Sequence, residues 1–201
     1  MSRYRTRSWR AFDPGIARTP PAGTASLRIL GLDPGSRRTG YGVIECRGAQ
    51  WTHVAHGCVS VTAAAESLPE RLRVIFESLR ELIATHAPGE VAIERVFVNR
   101  NVDSALKLGQ ARGAALCAVP KGLPVFEYAP RAIKLALVGS GAAEKGQVAH
   151  MIRALLGLQG RIPPDASDAL AVAVCHAHSR RLHELVLGAA APTRAPEAAT
   201  R

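Results

Sequence analysis

The chain has 201 residues and a mass of 21.3 kDa, enough for one domain with tails. Its 47% apolar and 21% charged composition supports a buried core, and the absence of any apolar run near 18 residues speaks against a membrane-spanning helix. Lys and Arg number 26 against 16 Asp and Glu, a formal charge of +10, which points to a polyanionic partner such as nucleic acid or an anionic membrane surface.

Residues 1–26 carry Arg3, Arg5, Arg7, Arg10 and Arg18 among prolines and glycines. They read as a disordered basic extension. No apolar stretch of the secretory kind follows, although an Arg-rich, acid-poor end is also the composition of a transit peptide. One domain is expected over 27–187. The segment 188–201 is rich in Ala and Pro and reads as a disordered tail.

Within the domain, LRILGLD (27–33) is an apolar strand stopped by Pro34-Gly35. TGYGVIEC (39–46) and QWTHVAHGCVSV (50–61) follow on short connections, so the first three strands form an antiparallel meander. Segment 67–86 is a helix, with Leu68, Leu72, Ile75, Phe76, Leu79, Leu82 and Ile83 at three- and four-residue steps. A strand over 90–98, a helix over 103–119 and a short strand over 125–129 come next. Helices at 130–138, 144–157 and 165–187 complete the domain. The pattern is α/β: a mixed five-stranded sheet, three antiparallel strands then αβαβ, flanked by helices.

The four cysteines, Cys46, Cys58, Cys117 and Cys175, contain no CxxC pair. That spacing argues against a zinc site or disulfide framework and fits a reducing compartment. His176 and His178 are two apart on a helix and diverge by about 200°, which suits joint ligation poorly.

Carboxylates stand where a core strand is expected to be apolar. Asp33 ends the strand built on Leu27, Ile29, Leu30 and Leu32, and Glu94 sits among Val91, Ile93 and Val96. Asp165 and Asp168 follow Pro163-Pro164, three apart, on one face of a helix first turn. Each has an ordinary reading alone: a turn-forming Asp-Pro-Gly, an edge ion pair, and acids complementing a helix dipole. Together, four acids in an otherwise apolar setting need a partner, because burial of unpaired charge is costly. Hard oxygen donors of this kind bind Mg²⁺ or Mn²⁺.

GLDPGSRRTGYGVI (31–44), AIERVFVNRNVDSALKLGQARGAA (92–115), VFEYAPRAIKLALVGSGAAEKGQVAHMI (125–152) and PPDASDALAVAVCHAH (163–178) closely resemble the RuvC family of bacterial Holliday junction resolvases. The resemblance covers about 27–187, in the family's order and spacing. It implies a ribonuclease H-like fold, a homodimer, and paired nicks in strands of like polarity in four-way junction DNA. It implies divalent-metal ligation by Asp33, Glu94, Asp165 and Asp168. The last position is His in some members, so this chain carries the all-carboxylate version.

The resemblance further implies that Lys134 and Lys145 meet the DNA backbone or scissile phosphate, and that Phe97 stacks on an unpaired base. Without it, either lysine reads as solvated and Phe97 as core. Arg100 and Arg112 are candidate phosphate contacts, and the Gly35, Ser36, Arg37 and Thr39 loop is placed to approach DNA. The helix 103–119 carries small residues, Ala105, Gly109, Gly113 and Ala115, where the family makes its dimer contact. RuvA and RuvB, a branch-migration motor, are the implied partners, and the bacterial cytoplasm the implied location.

The expected mechanism uses two Mg²⁺ ions per subunit, with Mn²⁺ as a substitute. One acidifies an attacking water; the other stabilises the departing 3′ oxygen, leaving a 5′ phosphate. Lys145 and Lys134 add positive charge. Rival readings are a junction-binding protein without catalysis, a nuclease of the same fold acting on RNA, and an actin-like ATPase. The last requires a second lobe, for which about 160 ordered residues leave little room.

Overall fold

The computed structural model describes residues 26–61, 67–95 and 101–189, with the backbone alone described over 183–189. The first strand, β1 (Leu27–Asp33), pairs antiparallel with β2 (Arg38–Arg47), which pairs antiparallel with β3 (Gln50–Ser60). On the other side of β1 lie β4 (Glu90–Glu94) and β5 (Val125–Tyr128), both parallel to it. The sheet order is β3-β2-β1-β4-β5. The helices are α1 (Leu68–His86), α2 (Val102–Ala118), α3 (Pro130–Val138), α4 (Lys145–Leu156) and α5 (Pro164–Ala189).

Alternation along β1 and β4 assigns the two faces of the sheet. Leu30, Leu32, Val91 and Ile93 pack with Ile75, Leu79 and Ile83 of α1 and with Ala111, Ala115 and Ala118 of α2. Ile29, Ile44 and Ala92 pack on the opposite face with Ile133, Val148, Ile152 and a run from Leu170 to Cys175 of α5. Residues 169–177 of α5 are all buried, as a helix apolar on every side requires.

Local signals match the helix ends. Ser67 and Glu70 form a reciprocal capping box at the start of α1, and Glu144 with Gln147 does the same before α4, so Lys145 is the first residue of that helix. Two boundaries differ from the sequence expectation. The strand expected over 90–98 stops at Glu94, where Arg95 leaves the strand with its N–H on the Tyr128 carbonyl at 2.8 Å, and 96–98 lie outside the described residues. The last helix continues through Ala189, past the expected start of the tail. Residues 1–25 and 190–201, which hold most of the two expected tails, lie outside the described residues.

Among the described residues, no helix is long and apolar enough to cross a membrane.

Candidate active site

Four carboxylates converge because of strand register and a close helix approach. Leu32 of β1 stands beside Ile93 of β4, so the next residues, Asp33 and Glu94, end neighbouring parallel strands at the same edge. Residues two apart share a face, which puts both acids on the α5 side with Gly31 and Ala92. In open α/β sheets, the carboxyl ends of parallel strands are where ligands bind.

Glycines bring α5 onto that edge. Gly31 pairs with Gly42, and Asp33 with Gly40, across β1 and β2. A Cβ on Gly31 would stand 2.8 Å from the Ala173 nitrogen, and one on Gly42 would stand 2.7 Å from Leu170 Cδ2. A Cβ on Gly40 would strike the Asp165 backbone carbonyl. The bare strand surface therefore lets the first turn of α5 lie against the backbone, carrying Asp165 and Asp168 to Asp33.

The electrostatics record this crowding. Burial, then the neighbouring Glu94, Asp168 and Asp165, push the Asp33 carboxyl up to about 8. Sharing of a proton between the Asp33 and Glu94 carboxyls adds to the rise at Asp33 and opposes it at Glu94. Glu94 is also raised, by burial and by Asp168, against the pull of the Asp33 bond and the positive charges of Lys145 and Lys134. Lys145 Nζ lies 3.2 Å from Asp168 Oδ2, and that carboxylate holds the ammonium above its ordinary value. Two lysines from α3 and α4 thus face a four-acid cluster from strands β1 and β4 and helix α5.

The donor set is all oxygen, the chemistry that suits a hard divalent cation. Among the described residues, no three acidic, His or Cys side chains are closed around one point as a finished metal cage. Their oxygens are instead engaged inward: Asp33 and Glu94 with each other, Asp168 with Lys145. A carboxyl that retains a proton to about 8 marks a place where positive charge is wanted, and a divalent cation supplies it in place of that proton.

Other expected residues fall elsewhere. Phe97 and Arg100 lie outside the described residues. Arg112, read from sequence as a phosphate contact, turns inward to the Glu94 carbonyl and the Glu127 carboxylate, with its side chain only 20% exposed. Thr39, placed in the DNA-facing loop, is instead a fully buried residue of β2 whose hydroxyl donates to the Gly35 carbonyl at 3.4 Å. Ala115 packs in the core, while Gly109 and Gly113 have open space where a side chain would project. His176 bonds Glu90 and Tyr128, and His178 stands edge-on to Trp51, so the two rings diverge.

Sequence reasoning missed Cys58, whose Sγ lies 4.0 Å from Asp165 Oδ2 and whose thiol is raised by burial and by that carboxylate. Only the pairing of β3 with β2 reveals this neighbour. It missed Glu127 as well, which nothing in its strand distinguishes from a surface acid.

The family model for crossover junction endodeoxyribonuclease RuvC matches residues 29–176, a span holding all four acids and both lysines. The chain belongs to the RuvC family. A RuvC from Alkalilimnicola ehrlichii, a crossover junction endodeoxyribonuclease, is 58% identical over 152 residues, covering 75% of this chain and 91% of that protein. The Thermus thermophilus RuvC bound to a Holliday junction superposes with a TM-score of 0.73 at 36% identity, covering 78% of this chain and 96% of that one. The yeast mitochondrial Holliday junction resolvase shares the fold, with a TM-score of 0.59 at 11% identity over 80% of this chain and 84% of that one. The RuvC fold expected from the sequence, ribonuclease H-like with a mixed five-stranded sheet, is the one observed.

Proposed function

We propose that this RuvC-family chain is a structure-selective endodeoxyribonuclease that resolves four-way DNA junctions, with Asp33, Glu94, Asp165 and Asp168 as its metal-holding carboxylates. The observation that carries the reading is the meeting of these four acids at one sheet edge with Lys145 on Asp168. The junction as substrate follows from family membership and from the likeness to a RuvC bound to one.

Mg²⁺ is the cation that this donor set favours, with Mn²⁺ as a substitute. Two such ions, when bound, supply an acidified water as nucleophile and positive charge for the departing 3′ oxygen. The residues have separate tasks. Asp33 and Glu94, on rigid strand ends, fix the buried side of the site. Asp165 and Asp168 close it from α5. Lys145, 84% exposed at its side chain, presents its ammonium to solvent beside the acids, where a scissile phosphate gains a second source of positive charge. Lys134 acts from α3 on the Glu94 side.

Paired nicks require two sites, and a two-fold dimer matches a two-fold junction. On α2, Val102 and Leu106 are 68% and 63% exposed, and Gly109, Gly113 and Cys117 continue the same stripe at three- and four-residue steps. We assign this stripe to the homodimer contact. The working setting is bacterial cytoplasm, and a branch-migrating assembly of the RuvA and RuvB kind is the partner that family membership points to.

The test is cleavage of a synthetic mobile four-way junction beside a matched linear duplex, with and without Mg²⁺, using wild type and Asp33→Asn. Symmetric ligatable nicks in the junction alone, lost without metal and in the variant, are expected. Tight binding without cleavage across several metals and core sequences would replace this reading with a binding-only role. Preferential cutting of RNA would replace it with an RNA nuclease.

A further inference from the structure

Away from the carboxylates, the packing of α4 against the loop before α5 leaves a cleft of about 310 Å³, lined by Ala149, Arg153, Gly160, Arg161, Ile162 and Ser167. Three observations mark it as a binding site. Arg153 and Arg161 are both exposed, and among the described residues neither guanidinium has an acidic partner. Ser167 is a polar residue, only 4% exposed, that lines the cleft beside them. Lys145, Ala149 and Arg153 are four apart in turn along α4, so the cleft lies on the same helix face as the lysine at the active site.

We infer that this cleft is a second phosphate-binding site, taking a backbone phosphate of the junction strand being cut. The inference rests on the nuclease reading and extends it. Eight residues of helix separate Lys145 from Arg153, about 12 Å at the α-helical rise. That distance corresponds to a phosphate about two to four nucleotides from the scissile one, given an axial rise of about 3.4 Å per nucleotide in duplex and more in a splayed strand. Two guanidiniums supply charge and forked donors, the donor set matched to phosphate, and Ser167 adds a hydroxyl to the lining. The acids nearest in sequence face elsewhere: Asp168 is on Lys145, and Asp165 faces Cys58. The site orients the strand and contributes affinity, and the chemistry remains at the carboxylates.

The experiment compares wild type with the double variant Arg153→Gln/Arg161→Gln, after circular dichroism has matched their folds. Binding to a fluorescent four-way junction is measured in EDTA across a potassium chloride series. The variant is expected to bind on the order of tenfold more weakly near 0.1 M salt, with a log–log salt slope smaller by about one per subunit. Its cleavage at subsaturating protein is expected to fall in proportion to the lost affinity. Junctions carrying one neutral methylphosphonate, scanned over about four nucleotides on each side of the cut, then locate the contact. One position is expected to weaken wild type and leave the variant unaffected. Unchanged affinity and slope with normal cleavage would overturn the cleft alone, whereas wild type that fails to cut any junction would overturn the nuclease reading on which it rests. Thermal stabilisation by inorganic phosphate through the same arginines, with junction binding unchanged, would make this a free-anion site and overturn the DNA assignment.

Discussion

Arg112 Nε donates to the backbone carbonyl of Glu94 at 3.4 Å, from a helix on the far side of the sheet from the acid's own side chain. Its Nη2 lies 2.9 Å from Glu127 Oε1, yet is not aligned with it as a hydrogen bond, so that contact is electrostatic. Arg95 reaches the same carboxylate at 3.5 Å. The strand end that presents Glu94 is therefore clamped from behind. Arg112→Ala is expected to lower the cleavage rate at saturating protein on the order of tenfold to a hundredfold, because a small displacement of a reacting group is expensive. Junction affinity measured without metal is expected to stay within about twofold. A loss of affinity with an unchanged rate would restore the role of phosphate contact.

The raised Asp33 carboxyl makes stability depend on pH. The folded state holds this proton up to about 8, whereas the unfolded carboxyl releases it near 3.8. Between those values the folded state binds the extra proton, so its stability falls as pH rises from about 4 to about 8. The melting temperature in EDTA is expected to drop across that window in wild type. Asp33→Asn, which keeps a donor towards Glu94, is expected to flatten the profile and melt higher than wild type at pH 8. Mg²⁺ at pH 8 is expected to stabilise wild type and not the variant. Parallel pH profiles for the two proteins would show that Asp33 does not carry this linkage.

Lys145 separates catalysis from stability. An exposed ion pair contributes little to folding, and this lysine opens α4, where a cation opposes the helix dipole. Lys145→Gln is expected to leave the melting temperature unchanged while cleavage falls on the order of a hundredfold or more, the scale of a lost transition-state donor. Equal losses of stability and rate would assign it a structural role.

Gly40 is a test of the helix approach. Gly40→Ala sets a methyl group against the Asp165 backbone and forces α5 away from β2. Overpacking of this kind costs about 1–3 kcal/mol, so the fold is expected to survive with a lowered melting temperature. Cleavage is expected to fall far more steeply than stability, because Asp165 and Asp168 move together. Full activity in a folded variant would show that the acids tolerate that displacement.

The open stripe of α2 is examined by Leu106→Glu, which places a charge on an exposed apolar position and disturbs no core contact. Sedimentation is expected to show a shift from dimer to monomer, and junction nicks to become single and unpaired. A dimer that persists would place the subunit contact elsewhere.

The sequence by itself determined the elements and the acids. Alternation in LRILGLD and helical spacing in 67–86 mark buried faces directly, because burial of a face is a local periodic signal. Asp33 and Glu94 stand out for interrupting such faces, and the order and spacing of the motifs carry the family resemblance. Tertiary structure decided what distant residues do to one another. That α5 reaches Asp33 depends on three glycines on two strands, whose absent side chains are invisible until the helix is laid across them. That Arg112 turns inward depends on Glu127, fifteen residues further along and two strands from β1. The open cleft joining Arg153, Arg161 and Ser167 exists only once α4 and α5 are packed. Periodicity tells a side chain which way to face, and long-range pairing alone tells it what it meets.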